Sequence, residues 1–252
     1  MIQPRHKYSA ALKAVLLYTL LMLSGLCSDL YADEDINSLR YEITPYLWAA
    51  TIKGTTAADG DTSPPIDTGY NFFSLDNLDG VASATFTVHK NQWGFLFDYL
   101  YVAYEDTLLE STPLQLIPRL EGTILEFAGS YAVSSINNLE IVAGLRQQDI
   151  TVSLTYLSRR PEQSATWIDP FAGVIYTQPL KGKFDMALRG DLGGFGINSD
   201  IAVNAEAEFR YQMSKTFSLK FGYRYLKVKF DDNDFLYDIS LDGLKAGLGI
   251  RF

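Results

Sequence analysis

The chain closes on GLKAGLGIRF, in which Leu244, Ala246, Leu248, Ile250 and Phe252 share one face and Lys245, Gly247, Gly249 and Arg251 share the other. Period 2 predicts a strand. The same alternation recurs over 41–52, 81–90, 93–105, 120–133, 139–157, 165–178, 184–193, 201–213 and 217–230, with 236–252 as the tenth segment. It is cleanest over 201–213. There Ile201, Val203, Ala205, Ala207, Phe209, Tyr211 and Met213 oppose Asn204, Glu206, Glu208, Arg210 and Gln212. Between Arg146 and Ile150 the phase slips, which predicts a bulge. Segment 66–73 (IDTGYNFF) reads as an extra strand or as a loop hairpin, so eight and twelve strands stay open beside ten.

The connections alternate in character. Those after strands two, four, six and eight are short, as at Asn91–Gln92. Those after one, three, five, seven and nine read as mostly longer and richer in Asp, Gly, Ser and Pro. No long 3.6-residue period interrupts the series. The fold class is therefore all-β, a single antiparallel barrel of about ten strands. Short turns at one end and longer loops at the other match a transmembrane barrel.

A soluble barrel also alternates, so which face points inward has to be decided by chemistry. One face is aromatic and aliphatic, with Phe and Tyr at many strand ends, as expected for lipid contact. The other carries Gly, Ser, Thr and charges of both signs. On that assignment the lumen holds Arg146, Arg189, Arg210, Lys220, Arg224, Lys245 and Arg251. Facing them are Glu42, Asp98, Glu126, Glu140, Asp185, Asp191, Glu206 and Glu208. Near balance is what a narrow interior requires, because buried charges are costly unless paired. The central set, Glu206, Glu208, Arg210, Lys220, Arg224, Arg189 and Asp191, is expected to fill the lumen as an ion-pair plug. The other reading of the same residues is a gate in a narrow channel for ions or small solutes.

The start of the chain differs from the rest. Arg5, Lys7 and Lys13 precede an apolar run over 14–27, too short for a membrane span of about 20 residues. SDLYA then offers a cleavage point, so 1–32 reads as a signal peptide and 33–252 as the barrel domain. Cys27, the single cysteine, falls in that leader, and the large Leu26 before it argues against acylation. The chain is acidic, with a formal charge of −9, which lacks the basic footprint of a nucleic-acid binder. At 47 % hydrophobic it is too apolar for disorder.

ITPYLWAATIKGT, NQWGFLFDYLYV, RGDLGGFGINSDI and FGYRYLKVKFDDNDFLYDISLDGLKAGLGIRF together resemble a family of proteobacterial outer-membrane β-barrels, loosely similar to the small OmpA- and OmpW-like barrels. The resemblance implies location and fold and no reaction. On the even-stranded topology both termini are expected to be periplasmic. The terminal Phe252 is similar to the signal by which the barrel assembly machinery recognises such chains, and lipid and lipopolysaccharide are the implied surroundings.

Three constellations could carry chemistry. GDLGGFG resembles a phosphate loop but joins two strands, whereas a nucleotide loop opens a helix; its glycines are expected to bend a hairpin. His89 is the one histidine beyond the leader and is expected beside a short turn, which leaves a serine hydrolase without a placed base. Asp231, Asp232 and Asp234, with Asp238 nearby, and Asp59 with Asp61, are oxygen-rich but match no calcium-loop spacing, so they read as solvated loops. No enzyme activity, metal or cofactor is expected.

Overall fold

The computed structural model describes residues 39–58, 66–67, 70–71, 78–105, 116–156, 160, 162–232 and 235–252. The expected leader, 1–32, and the loop aspartates 59, 61 and 234 lie outside them. Twelve strands run in chain order: β1 Arg40–Ala58, β2 Ile66–Asp67, β3 Tyr70–Asn71, β4 Leu78–Lys90, β5 Trp93–Glu105, β6 Leu116–Ala132, β7 Leu139–Tyr156, β8 Glu162–Pro179, β9 Phe184–Gly193, β10 Ser199–Gln212, β11 Phe217–Asp232 and β12 Phe235–Arg251. Ten are long, and each pairs antiparallel with the next. β12 pairs with β1 from Glu42↔Arg251 to Ala58↔Phe235, and β1 pairs with β4 from Arg40↔His89 to Pro45↔Ala84. That closes the sheet into a ten-strand barrel and answers why the apolar alternation runs to the end of the chain: hydrocarbon tolerates no unpaired strand edge.

The described parts of segment 66–73 are two short strand pieces that pair with β1 in one common register and not with each other. β2 and β3 lie on β1 above its short pairing with β4, at Thr55↔Asp67 and Thr51↔Asn71, so the loop covers an edge that β4 leaves open. The expected bulge near Arg146 is absent. β7 pairs with β6 without interruption through Glu126↔Arg146, Ile124↔Gln148 and Gly122↔Ile150. The connections after the seventh and ninth long strands are also tighter than expected. They occupy 194–198 and 233–234, because the flanking strands run further than the sequence pattern suggested. The first turns through Gly194 (φ 82°), Phe195 (φ 52°) and Gly196 (φ 70°), a left-handed run for which glycine is the natural choice.

Lipid-facing and lumen-facing residues separate as the sequence indicates over one half of the barrel. Leu47, Phe127, Leu145, Phe209, Leu219 and Phe221 point outward and are half exposed. Aromatic pairs mark the end with short turns: Trp93 meets Tyr131 at 4.8 Å between ring centroids, and Phe184 meets Tyr211 at 4.8 Å. Tyr223 and Tyr225 mark the other boundary. Beyond them the outward positions are Lys227, Lys229, Lys53 and Asp238, and the inward ones become Leu226, Val228, Phe230, Ile52 and Ile239. The polarity of the long strands β1, β11 and β12 therefore inverts partway along them. From Phe217 to Lys227 the backbone rises about 33 Å, or about 25 Å along the membrane normal for a strand tilted by about 40°. That matches the apolar band of a transmembrane barrel. Strands of 17 to 19 residues such as β1, β6 and β12 exceed the roughly 9–11 needed to cross. The surplus forms a collar beyond the bilayer.

The inversion predicts a position-dependent response to charge. Phe221→Arg, in the middle of the apolar band, should lower folding stability in vesicles by about 2–4 kcal/mol. Lys229→Ala, on the collar, should change it by less than about 0.5 kcal/mol. Denaturant titration of both variants checks this.

Candidate functional site: a charge layer and an apolar plug in the lumen

Alternation places a polar residue inward on neighbouring strands at one level, and the centre of the barrel becomes a layer of buried charge. Asp98 on β5 stands directly opposite Glu126 on β6. Two carboxylates so paired repel, and Arg224 reaches across from β11 to bind both. Its Nη1 donates to Asp98 at 3.3 Å and its Nη2 to Glu126 at 2.7 Å. Arg146 on β7 donates through Nε to Glu126 at 2.9 Å and through Nη2 to Asp191 at 2.8 Å. Arg189 on β9 binds Glu126 and Asp191, each at 2.8 Å. Three guanidinium groups thus converge on Glu126, whose side chain has no solvent exposure. Asn204 ties the layer together, donating to Asp191 at 2.8 Å and accepting from Arg224 at 3.0 Å.

The layer is bounded on both sides. Towards the loops, Arg224 lies over the Trp48 ring at 5.0 Å. Above it Trp48, Ile52, Leu100, Ile124, Ile150, Trp167, Leu226, Val228, Phe230 and Ile239 form one apolar cluster. Trp167 stacks on Phe230 at 4.4 Å. Towards the turns, Lys245 donates to Glu206 at 2.7 Å and lies 4.5 Å over Tyr46, Arg210 pairs with Glu208 at 2.8 Å, and Lys220 bonds Glu42 and Thr44. Between these groups lies a cavity of about 100 Å³.

Of the central set expected from the sequence, Glu206, Glu208, Arg210, Lys220, Arg224 and Arg189 border that cavity, and Asp191 is buried beside them. Arg251 differs: it sits at the rim, 44 % exposed, and holds Glu42 at 2.7 Å. The sequence reading placed Arg146 and Glu126 in the lumen but left both out of its central set, although the structure makes Glu126 the hub. It missed Asp169 entirely. This carboxylate is fully buried between the inward Trp167 and Phe171. It accepts from the Ser199 amide at 2.9 Å, the Ser199 hydroxyl at 2.6 Å and Trp167 Nε1 at 3.2 Å, and so anchors the tight β9–β10 hairpin to β8. A lone acid on an otherwise apolar alternating face was its signal.

His89 lies at the turn end with Ser130 and Glu140. Ser130 Oγ donates to Glu140 at 2.6 Å, and His89 Nε2 is 3.8 Å from the same carboxylate oxygen. A nucleophilic serine needs its hydroxyl proton aimed at the imidazole, and here it is aimed at the acid. Asp231 and Asp232 are exposed at the end of β11. Among the described residues no group of three His, Cys, Asp or Glu side chains could hold a metal ion.

Removing one partner from a buried ion pair leaves an uncompensated charge. Glu126→Gln should therefore cost about 3–5 kcal/mol, whereas Arg251→Gln at the exposed rim should cost less than about 1 kcal/mol. Equilibrium unfolding of the two variants under one set of conditions measures the difference.

No protein-family model and no curated protein sequence matches the chain. Among solved structures it is similar to the translocator domain of the autotransporter NalP from Neisseria meningitidis, at 12 % identity over 99 % of this chain and 100 % of that one, with a TM-score of 0.47. It is similar to the outer membrane protease OmpT from Escherichia coli, at 10 % identity over 88 % and 99 %, with a TM-score of 0.45. It is also similar to Ail, the attachment invasion locus protein of Yersinia pestis, at 10 % identity over 86 % and 99 %, with a TM-score of 0.39.

Proposed function

We propose that this chain is a closed barrel of the bacterial outer membrane, with a structural and contact role rather than a transport or enzymatic one. The observation that supports this reading is the two-tier interior: a buried ionic layer centred on Glu126 lies against an apolar cluster stacked on Trp167 and Phe230. An ion crossing it would have to displace arginines from their carboxylates and then enter a hydrocarbon-like plug, and both steps are costly. Both termini are periplasmic on this reading, and the strand surplus stands outside the cell as a polar collar.

The collar has the chemistry of a headgroup contact. Lys53 and Lys227 flank Ser240 in register on β1, β11 and β12. Lys53, Lys227 and Lys229 are 59 %, 41 % and 42 % exposed, just above the boundary tyrosines. Each pairs with a carboxylate, Lys53 with Asp242 at 3.2 Å, Lys227 with Asp238 at 3.5 Å and Lys229 with Asp200 at 2.8 Å, and a phosphate of lipopolysaccharide binds there by exchanging for these partners. Phe252 and the apolar face leading to it serve recognition by the barrel assembly machinery.

Single-channel recording of the refolded protein in a planar bilayer tests the closed interior. The expected result is a folded, heat-modifiable barrel with no discrete conductance steps. Reproducible steps that shift in Arg210→Gln would instead make the lumen a narrow channel and its charges a selectivity device.

A further inference from the structure

We propose that the cavity on the turn side of the ionic layer is a blind binding site for a small aliphatic carboxylate. Its lining has two unlike walls. One is ionic: Arg189, Arg210, Lys220, Arg224 and Lys245 border it, against only Asp98, Glu206 and Glu208. The carboxylates that balance the cations from behind, Glu126, Asp191 and Glu42, do not line it. The space therefore faces more positive than negative groups, although the network around it is paired. Arg189 adds a buried Nε with no acceptor among the described residues. The other wall is apolar: Leu96, Ile175 and Ala187 line the cavity, and Leu96 and Ile175 pack on Ala128, Val142 and Phe171 behind it.

A cation entering would meet five like charges against three carboxylates, each of which already holds a cation of the lining. An inorganic anion would leave the apolar wall unmatched, and an uncharged alcohol would leave the guanidinium side unmatched. An acceptor-only carboxylate on a short alkyl chain satisfies both walls. At about 100 Å³ the space is several times what one water needs, and smaller than the roughly 150 Å³ apolar cavity that takes up benzene. A four-carbon acid fits that range. Arg210 at the rim is 27 % exposed, so entry is from the turn end, and Arg224 and Asp98 form the floor. The site needs no through-passage.

Calorimetric titration of the full refolded chain with butyrate, butanol and butylammonium, each at matched ionic strength, tests this. Butyrate is expected to bind saturably with one site per chain, and the other two are not. Arg210→Gln should weaken butyrate binding at least tenfold, and Ala187→Leu, which fills the space without removing a charge, should abolish it. Heat-modifiable migration checks that each variant is folded, and if Ala187→Leu does not fold, Arg210→Gln alone decides. No saturable heat with butyrate, equal binding of butanol, butylammonium or inorganic phosphate, or undiminished binding in the folded variants would each overturn the proposal.

Discussion

Glu126 has no access to water and accepts from three guanidinium groups, and much of the barrel's interior is organised by that fact. A ten-strand barrel is too narrow to hydrate charges fully, so every ionic group it carries inward needs a partner within the protein. Asp98 and Glu126 sit side by side on paired strands and would repel if left alone. Arg224 bridges them from β11, Arg146 and Arg189 add their charge from β7 and β9, and Asp191 pairs with both of those arginines. The network joins strands that are not neighbours in the sheet. It thereby cross-braces the wall through its own lumen, beyond what backbone pairing provides.

The second organising fact is that the long strands, such as β1, β11 and β12, serve two surroundings. In the membrane half, outward positions are apolar and inward positions polar, as lipid requires. In the collar half, water surrounds the barrel, and the inward positions revert to the apolar packing of a soluble protein. The crossover falls near Tyr223 and Tyr225 outside and near Trp48 over Arg224 inside. The ionic layer thus sits where the two regimes meet. On its turn side the lumen retains a polar cavity, and on its loop side it is filled with side chains.

This crossover also explains what could and could not be read from the sequence. Alternation identifies strands independently of surroundings, so the ten strands and their face assignments in the membrane half, such as Phe221 against Lys220, were legible. The inversion was not, because a pattern that assumes one polar and one apolar face reads Arg146, Gln148 and Ile150 as a slipped phase. All three point inward without a bulge, Arg146 into the ionic layer, Gln148 towards Asp169 and Ile150 into the plug. The end of β11 was underestimated for the same reason: Asp231 looks like a loop residue when outward is assumed to mean lipid. Candidate lumen charges were legible as a set. Which of them would be the hub was not, since the convergence on Glu126 depends on strand tilt and on arginines reaching across the barrel.

The most direct test of the closed interior is thiol accessibility on either side of the ionic layer in the folded barrel. The only native cysteine, Cys27, lies in the segment expected to be removed as a leader, so an introduced cysteine reports alone. Thr87→Cys lines the turn-side cavity and Ala202→Cys is fully buried in the apolar cluster. A small charged thiol reagent should modify Thr87→Cys in the native state and leave Ala202→Cys untouched until the barrel is unfolded. Modification of Ala202→Cys in the folded barrel at a rate comparable to Thr87→Cys would contradict a sealed lumen.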